Sequence, residues 1–441
     1  MATKIILFLS DFNPKSEETQ YVCPDGQTVT GQQTNDAPVK YLLQTHPEIS
    51  EILCIVTPRA AETTWERFQQ IVQVIAPGLS VRKISFEENE DFTTGPLTKI
   101  MTCVKSGDEI LLETTGGFRN AIMHLLLLSR VLSYTGVRTI GAVYSNHPQK
   151  RVEDISHLIR LFDLVGGMQE LTNFGSVRTL RTFYGAQCPD EKIERLLTAV
   201  EQLLEAITLC RTRLIDDRMQ TFDEALKAAE TCADPLMQEL LPAFRGKFGK
   251  KLTTPGLIKW CVESDMLQQA LTIYKERMPV YLLKTRNDIL EILPDAPPPR
   301  NTKDYEDESE ARFYEHFLKM GRNMRTAYYG ADPDQPESGR KDYTVTTLEH
   351  LEELLPHSHF VAKCPVAQLK LIAMDYLYIR ALRNMTNHAN EQSTESQAEL
   401  MTYLTQHGYL PLERVSADDL RNAILLGLEH LKVTSKKEKS R

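Results

Sequence analysis

The chain is poor in the signatures that decide a function quickly. Its eight cysteines, at 23, 54, 103, 188, 210, 232, 261 and 364, are scattered and form no C-x-x-C pair. That excludes the common zinc sites and leaves reduced thiols, as in a cytoplasmic protein, as the expectation. No G-K-[ST] follows a glycine-rich loop and no G-x-G-x-x-G is present, so neither a Walker loop nor a dinucleotide fingerprint is available. The longest apolar run, AIMHLLLLSRVL, is shorter than the ~20 residues a bilayer span needs, and it carries His124 and Arg130. The start, MATKIILFLSDFNPKSEE, has too short an apolar run for a signal peptide and soon turns acidic, so a cytoplasmic protein with no membrane partner is expected. An excess of basic residues is also missing. The net charge is -9, which excludes a general nucleic-acid coating protein but not a local positive site. No repeat of fixed period is found.

What is present is an ordinary globular composition, 41% hydrophobic and 25% charged, over 441 residues. That length is too great for one typical core. The first part alternates. KIILFLS (4–10), EILCIVT (51–57), SVRKISF (80–86), DEILLET (108–114) and RTIGAVYS (138–145) are short apolar runs that read as buried strands. Helical patterns such as 60–76 and 120–136 lie between them. Alternation of this kind predicts an α/β fold with a parallel sheet covered on both faces, and ligands then bind at the carboxyl ends of the strands. A long polar insertion, residues 12–36, follows the first strand. The segment 152–169 reads as a helix, and from about 189 to 293 the pattern is almost wholly helical. PDAPPPR (294–300), the acidic DYEDESE (304–310) and ADPDQPESGRKD (331–342) read as loops, and 365–390 and 416–432 as the last helices. The expected division is an N-terminal ligand-sensing domain over 1–150, a connecting helical segment over 151–185 and a helical domain over 186–441.

Two stretches carry chemistry. Leu111-Leu112-Glu113-Thr114-Thr115-Gly116-Gly117-Phe118-Arg119 joins a strand to a helix. Two glycines admit a close backbone approach, the helix start offers free N–H groups to phosphate, and the hydroxyls of Thr114 and Thr115 and the charge of Arg119 can hold an anionic ligand. Ser10 and Asp11, ending the first strand, should sit on the same edge. The plainer reading is a tight strand-to-helix turn. A mononucleotide-like or oligonucleotide ligand fits better than ATP hydrolysis or NAD. His124, farther down that helix, reads as a packing residue.

The second stretch is Arg383-Asn384-Met385-Thr386-Asn387-His388, on a helix in MDYLYIRALRNMTNHANEQ. Asn384 and His388 are i,i+4 and share a face. Arg383 reaches over its edge, and Arg380 lies one turn earlier. RNA carries its own nucleophile, the 2′-OH. His388 can move protons near neutral pH, Arg383 can stabilise charge on a pentavalent phosphate, and Asn384 can orient His388. Cleavage by 2′-OH attack gives a 2′,3′-cyclic phosphate and a 5′-hydroxyl, with no metal or cofactor required. An exposed Arg and His on a surface helix is the plainer reading of this stretch. Arg322-Asn323-Met324-Arg325 starts like the motif but has no His at the right spacing, and it reads as a basic helix face that can touch RNA.

Over essentially the full chain, the arrangement resembles the CARF–HEPN ribonucleases that accompany type III CRISPR systems. The turn Thr115-Gly116-Gly117-Phe118-Arg119 is similar to the T-G-G-x-[KR]-like turn after the fourth strand of a CARF domain. Arg383, Asn384 and His388 match the HEPN signature R-[polar]-x-x-x-H. The resemblance implies a CARF-like Rossmann sensor followed by an all-α HEPN region. It implies cyclic oligoadenylate as allosteric activator, held across a two-fold axis by Ser10, Asp11, Thr114, Thr115, Gly116, Gly117, Phe118 and Arg119. It also implies a homodimer whose composite active site cleaves single-stranded RNA with little sequence preference, in antiviral defence, and a helical stretch, 152–290, as relay. Some relatives slowly degrade their activator, which would make Thr114, Thr115, Ser10 and Asp11 a second site of chemistry. A DNA-binding regulator would need a basic recognition helix, and the acidic charge speaks against stable DNA binding. A metal-dependent nuclease would need carboxylates and a lysine on strands. A catalytically silent sensor or interaction module remains the alternative.

Overall fold

The computed structural model describes residues 2–87, 95–118, 120–185, 190–248, 252–299, 305, 307–330, 343–387 and 395–432. The chain divides into two compact units, residues 1–166 and 167–441. The expected α/β class is what is found: among the described residues, an eight-stranded, mostly parallel sheet lies in the first unit, and the second is helical apart from one short strand pair.

Five strands follow the apolar runs of the sequence: β1 (Thr3–Phe8), then β4 (Ile49–Val56), β5 (Ser80–Ser85), β6 (Glu109–Glu113) and β7 (Arg138–Asn146). β2 (Thr19–Val22) and β3 (Thr28–Gly31) lie between β1 and β4, and β8 (Arg151–Asp154) follows β7. The order across the sheet is β3-β2-β8-β7-β6-β1-β4-β5. Every residue of β1 is buried, as expected of a central strand covered on both faces. Its side chains alternate between layers. Ile5 and Leu7 pack beneath the helices Asp36–Thr45 and Trp65–Ile75, whereas Ile6 and Phe8 pack beneath Pro96–Cys103 and Ala121–Ser133. Each such buried side chain contributes roughly 1.5–3 kcal/mol, so register is strongly specified.

Three features depart from the reading above. The polar stretch 12–36 contains the β2–β3 hairpin, which extends the sheet by pairing Val22 with Arg151 of β8. The segment from 152, expected to be helical, begins as β8, antiparallel to β7, and the helix starts only at Ser156. The helix expected over 60–76 is two, Pro58–Thr63 and Trp65–Ile75, broken at the buried Thr64.

In the second unit the helices Leu267–Thr285 and Val366–Asn387 pack together over Tyr274, Phe313, Phe317 and Tyr376, all fully buried. Asp375, 2% exposed, accepts hydrogen bonds from Tyr409 (2.7 Å) and His430 (2.6 Å), which fastens the chain end to this core. Ser416 and Asp419 form a reciprocal capping box ahead of the helix Ala417–Glu429. The helical pattern is interrupted by an antiparallel pair, β9 (Leu290–Ile292) with β10 (Phe360–Ala362). The acidic segment expected to be a loop starts a helix, Glu308–Ala311, followed by a π-helical turn, Arg312–Leu318. The proposed loop 331–342 lies outside the described residues. No helix among the described residues is long and apolar enough to cross a membrane.

Candidate functional site

Strand order decides where the first site falls. From β1 the chain builds outward through β4 and β5, then crosses to β6 on the other side of β1. The crevice at such a reversal, outside the carboxyl ends of the strands, is where ligands bind in open α/β sheets. Ser10 follows β1 there, and the turn from Thr114 to Phe118 follows β6.

The turn is fastened from beneath. Gly117 N–H donates to Ser10 Oγ at 2.8 Å, which joins the two strand ends. Thr114, 3% exposed, donates its hydroxyl to the Val143 carbonyl at 2.9 Å. Thr115 Oγ1 accepts from Ser145 N at 2.7 Å, and its hydroxyl also bonds the Glu113 carboxyl. The glycines are required. Gly117 has φ +90, and a Cβ on Gly116 would overlap the Phe8 carbonyl oxygen and the Asn35 amide. Phe118 packs its ring against Phe8 at 5.4 Å and Phe86 at 5.6 Å, and His124 joins the same cluster, 6.0 Å from Phe118. Asp11 is exposed and pairs with Arg59 at 2.8 Å. Arg119 lies outside the described residues.

Two buried residues under the turn escaped the sequence reading. Glu113, fully buried at the end of β6, accepts from Thr115 N at 2.7 Å and from the Asn35 side chain. Burial pushes its carboxyl up to about 7, against the lowering effect of the bonds from Thr115 and Asn35. Asn35, also fully buried, donates to the Phe8 carbonyl at 2.9 Å and accepts from Ser10 N at 3.0 Å. It is delivered by the end of the polar insertion, which Asp36 holds by accepting from Gln33 N (2.9 Å) and Arg67 (2.8 Å). A carboxylate closing an apolar strand was the available signal for Glu113. Nothing in the local sequence marked Asn35, because its partners are 27 and 78 residues away.

In the second unit, the helix Val366–Asn387 buries Leu377, Ile379, Ala381 and Leu382. Arg383 is mostly covered, 20% exposed, with Nη2 3.7 Å from Glu276 Oε1, and Glu276 in turn accepts from Thr212 at 2.6 Å. Asn384 is half-buried on the same stretch. His388 lies outside the described residues. Arg380, one turn before Asn384, is likewise mostly covered. Its guanidinium stacks over Tyr314 at 3.8 Å and lies 3.7 Å from Glu310. Glu310, 0% exposed, also pairs with Lys275 at 3.2 Å. Burial pushes its carboxyl up, against the pull of Lys275 and Arg380. Among the described residues no group of three or more His, Cys, Asp or Glu side chains could hold a metal ion.

No protein-family model matches the chain, and no curated protein does. Among solved structures it is similar to Enterococcus italicus Csm6 bound to cyclic hexa-2'-fluoro-hexa-dAMP, at 12% identity and a TM-score of 0.37, covering 98% of this chain and 99% of that one. That likeness is too distant to assign chemistry.

Proposed function

We propose that the chain is a ligand-activated, metal-independent endoribonuclease of type III CRISPR defence, with a CARF-like sensor and a HEPN-like catalytic region. The observation that carries this reading is the edge formed by Ser10 and the Thr115-Gly116-Gly117 turn at the strand reversal, in one chain with Arg383 and Asn384 on a late helix and His388 at the motif's spacing in the sequence. The edge suits a cyclic oligoadenylate. Ser10 offers an O–H, and two glycines let phosphate or ribose approach the backbone. Both threonine hydroxyls are engaged within the fold, so their role here is to hold the turn. Asp11 supplies a polar group beside it, Arg119 follows it in the sequence as a positive charge, and Phe118 anchors it to the core.

In the catalytic region, Arg383 is held near Glu276 and stabilises the charge building on the phosphate. His388 transfers the proton and Asn384 orients it. A homodimer brings two such motifs into one composite site, with single-stranded RNA as substrate. A symmetric ligand on the dyad can favour the active arrangement only by binding it more tightly than the inactive one. Slow cleavage of the activator at the sensor edge is a secondary activity of the same reading.

The test is cleavage of a fluorescent single-stranded RNA in EDTA, with no ligand, cyclic tetra-adenylate or cyclic hexa-adenylate. Ligand-dependent cleavage that disappears in His388→Ala is the expected result and names the ring. Cleavage that persists in His388→Ala would move the active site elsewhere, and none under any condition would favour a silent sensor.

A further inference from the structure

The second unit has a cleft of about 440 Å³ that the ribonuclease motif does not use. Its walls carry Arg322, Arg325 and Asn323 from one helix, His316 from the π-helical turn, and His357 and His359 from the segment leading into β10. One acidic residue, Glu315, lines it, and its carboxylate is engaged by the Tyr305 hydroxyl and by Lys319 at 3.4 Å. A basic, histidine-rich hollow stands out in a chain of net charge -9.

Its groups are positioned. Asn323 Nδ2 lies 3.2 Å from His359 Nε2, and His359 Nδ1 lies 3.8 Å from Asp295. The Arg325 guanidinium sits over the Tyr343 ring at 5.8 Å. The helix Arg322–Tyr329 opens into the cleft from Gly321, which supplies no side-chain cap, so its first N–H groups add to the field of the arginines. A separate observation points to the kind of anion. The same helix ends in Tyr328 and Tyr329, 39% and 58% exposed, with ring centroids 4.8 Å apart in an edge-to-face arrangement at 79°. Cationic groups that track a backbone beside aromatic faces on which bases stack are the combination that holds single-stranded nucleic acid.

We infer that the cleft of Arg322, Arg325 and the three histidines is a docking site for the phosphodiester backbone of single-stranded RNA, with the exposed Tyr329 ring as a face on which a base stacks. It supplies RNA-binding energy apart from Arg383 and His388. The inference rests on the ribonuclease reading only for the choice of RNA as the strand presented to it.

The test uses the full chain in the His388→Ala background, so that bound RNA stays intact, and measures binding of a fluorescent oligo-A RNA as salt is varied. Arg322→Glu with Arg325→Ala should weaken binding at least tenfold and lower the magnitude of the salt slope by about 1 to 2, near the ~0.7 per phosphate contact expected for single strands. Tyr329→Ala should weaken it without changing the slope. Arg322 is exposed, so Arg322→Glu alone keeps the test independent of folding, and a few-fold loss is expected from it. Single-stranded DNA of the same length should compete, since the recognised group is the phosphodiester. Unchanged affinity and slope in the double variant would overturn the inference, as would absence of RNA binding by the parent. Polyglutamate competing as well as RNA would make the cleft an acidic-peptide site instead. Cleavage by the unmutated chain, assayed alongside, reports on the ribonuclease reading separately: RNA bound through the arginines but never cut would sink that reading and leave this one standing.

Discussion

The sensor edge and the motif helix solve the same problem, holding polar groups in place, by opposite means. The edge after β1 and β6 is built from backbone groups, hydroxyls and one amide. Nearly every bond is short and neutral, and the carboxyl buried beneath the turn, Glu113, is pushed toward its protonated form. Around the helix Val366–Asn387 the polar groups are charged. Arg380, Arg383, Lys275, Glu276 and Glu310 meet at 3.2 to 3.9 Å, with Tyr314 beneath Arg380. A neutral, hydrogen-bonded turn has low electrostatic stakes and is shaped by sterics. A buried charge cluster is sensitive to the loss of any one member, because the survivors are left uncompensated. The first design suits a fixed receptor for a ligand. The second suits a place where charge on a phosphate must be met.

That contrast can be pressed from both sides. The largest effect should come from His388→Ala, which should lower RNA cleavage by roughly 10²–10⁴-fold while leaving activator binding to the sensor unit unchanged. A parallel loss of activator affinity, measured by calorimetry, would mean that the two regions are not separable in this way. Next, Arg380→Ala should destabilise the helical unit by about 3 kcal/mol, since buried Glu310 keeps only Lys275 as a cation and Tyr314 loses the guanidinium stacked on it. Chemical denaturation followed in both units should place that loss in residues 167–441, and a cost under 1 kcal/mol would show that Arg380 is solvated after all.

Glu113 gives the first unit a pH dependence of its own. Its ordinary value is 4.5 and its folded value about 7. Because the folded value is the higher, the stabilisation is complete below about pH 4.5 and is lost as the pH rises through 7, for a total of about 3 kcal/mol. Glu113→Gln should flatten the stability of residues 1–166 between pH 5 and 8, and identical pH profiles for the two proteins would contradict the burial argument. Gly116→Ala should cost about 1–3 kcal/mol and weaken cyclic oligoadenylate binding, because its Cβ meets the Phe8 carbonyl and the Asn35 amide. Thermal melts with and without ligand would register both changes. The smallest effect belongs to Asp11→Ala. Its pair with Arg59 is exposed, so stability should move by less than about 1 kcal/mol, and any larger change in activator affinity would place Asp11 at the ligand itself.

Much of this could be read before any fold was known, for identifiable reasons. Five strands announced themselves as apolar runs between helical patterns, although β5, at the edge of the sheet, buries only one of its six residues, Ile84, and is not the buried strand expected. The Gly116-Gly117 turn and the Arg383–His388 spacing were visible because each is local. β2 and β3 hid in a polar insertion, because a hairpin on the sheet's edge needs few apolar residues. β8 hid because four residues carry no period. Helix periodicity put Arg380 one turn before Asn384 without saying what covers that face; here Tyr314 and Glu310 do, and Glu310 comes from a segment that looked like an acidic loop.

By itself, then, the sequence determined the α/β class, the central strands, the glycine turn and the spacing of the motif, all properties set within a few residues by backbone sterics and hydrophobic period. Only the tertiary structure decided that Asn35 reaches Phe8 and Glu113, that Glu113 is buried deeply enough to hold its proton near neutrality, that Glu310 and Arg380 neutralise one another in the core, and that Arg322, Arg325 and three histidines face one hollow. Each of these depends on residues far apart in the chain. Burial and charge pairing act through space, and chain separation carries no record of them.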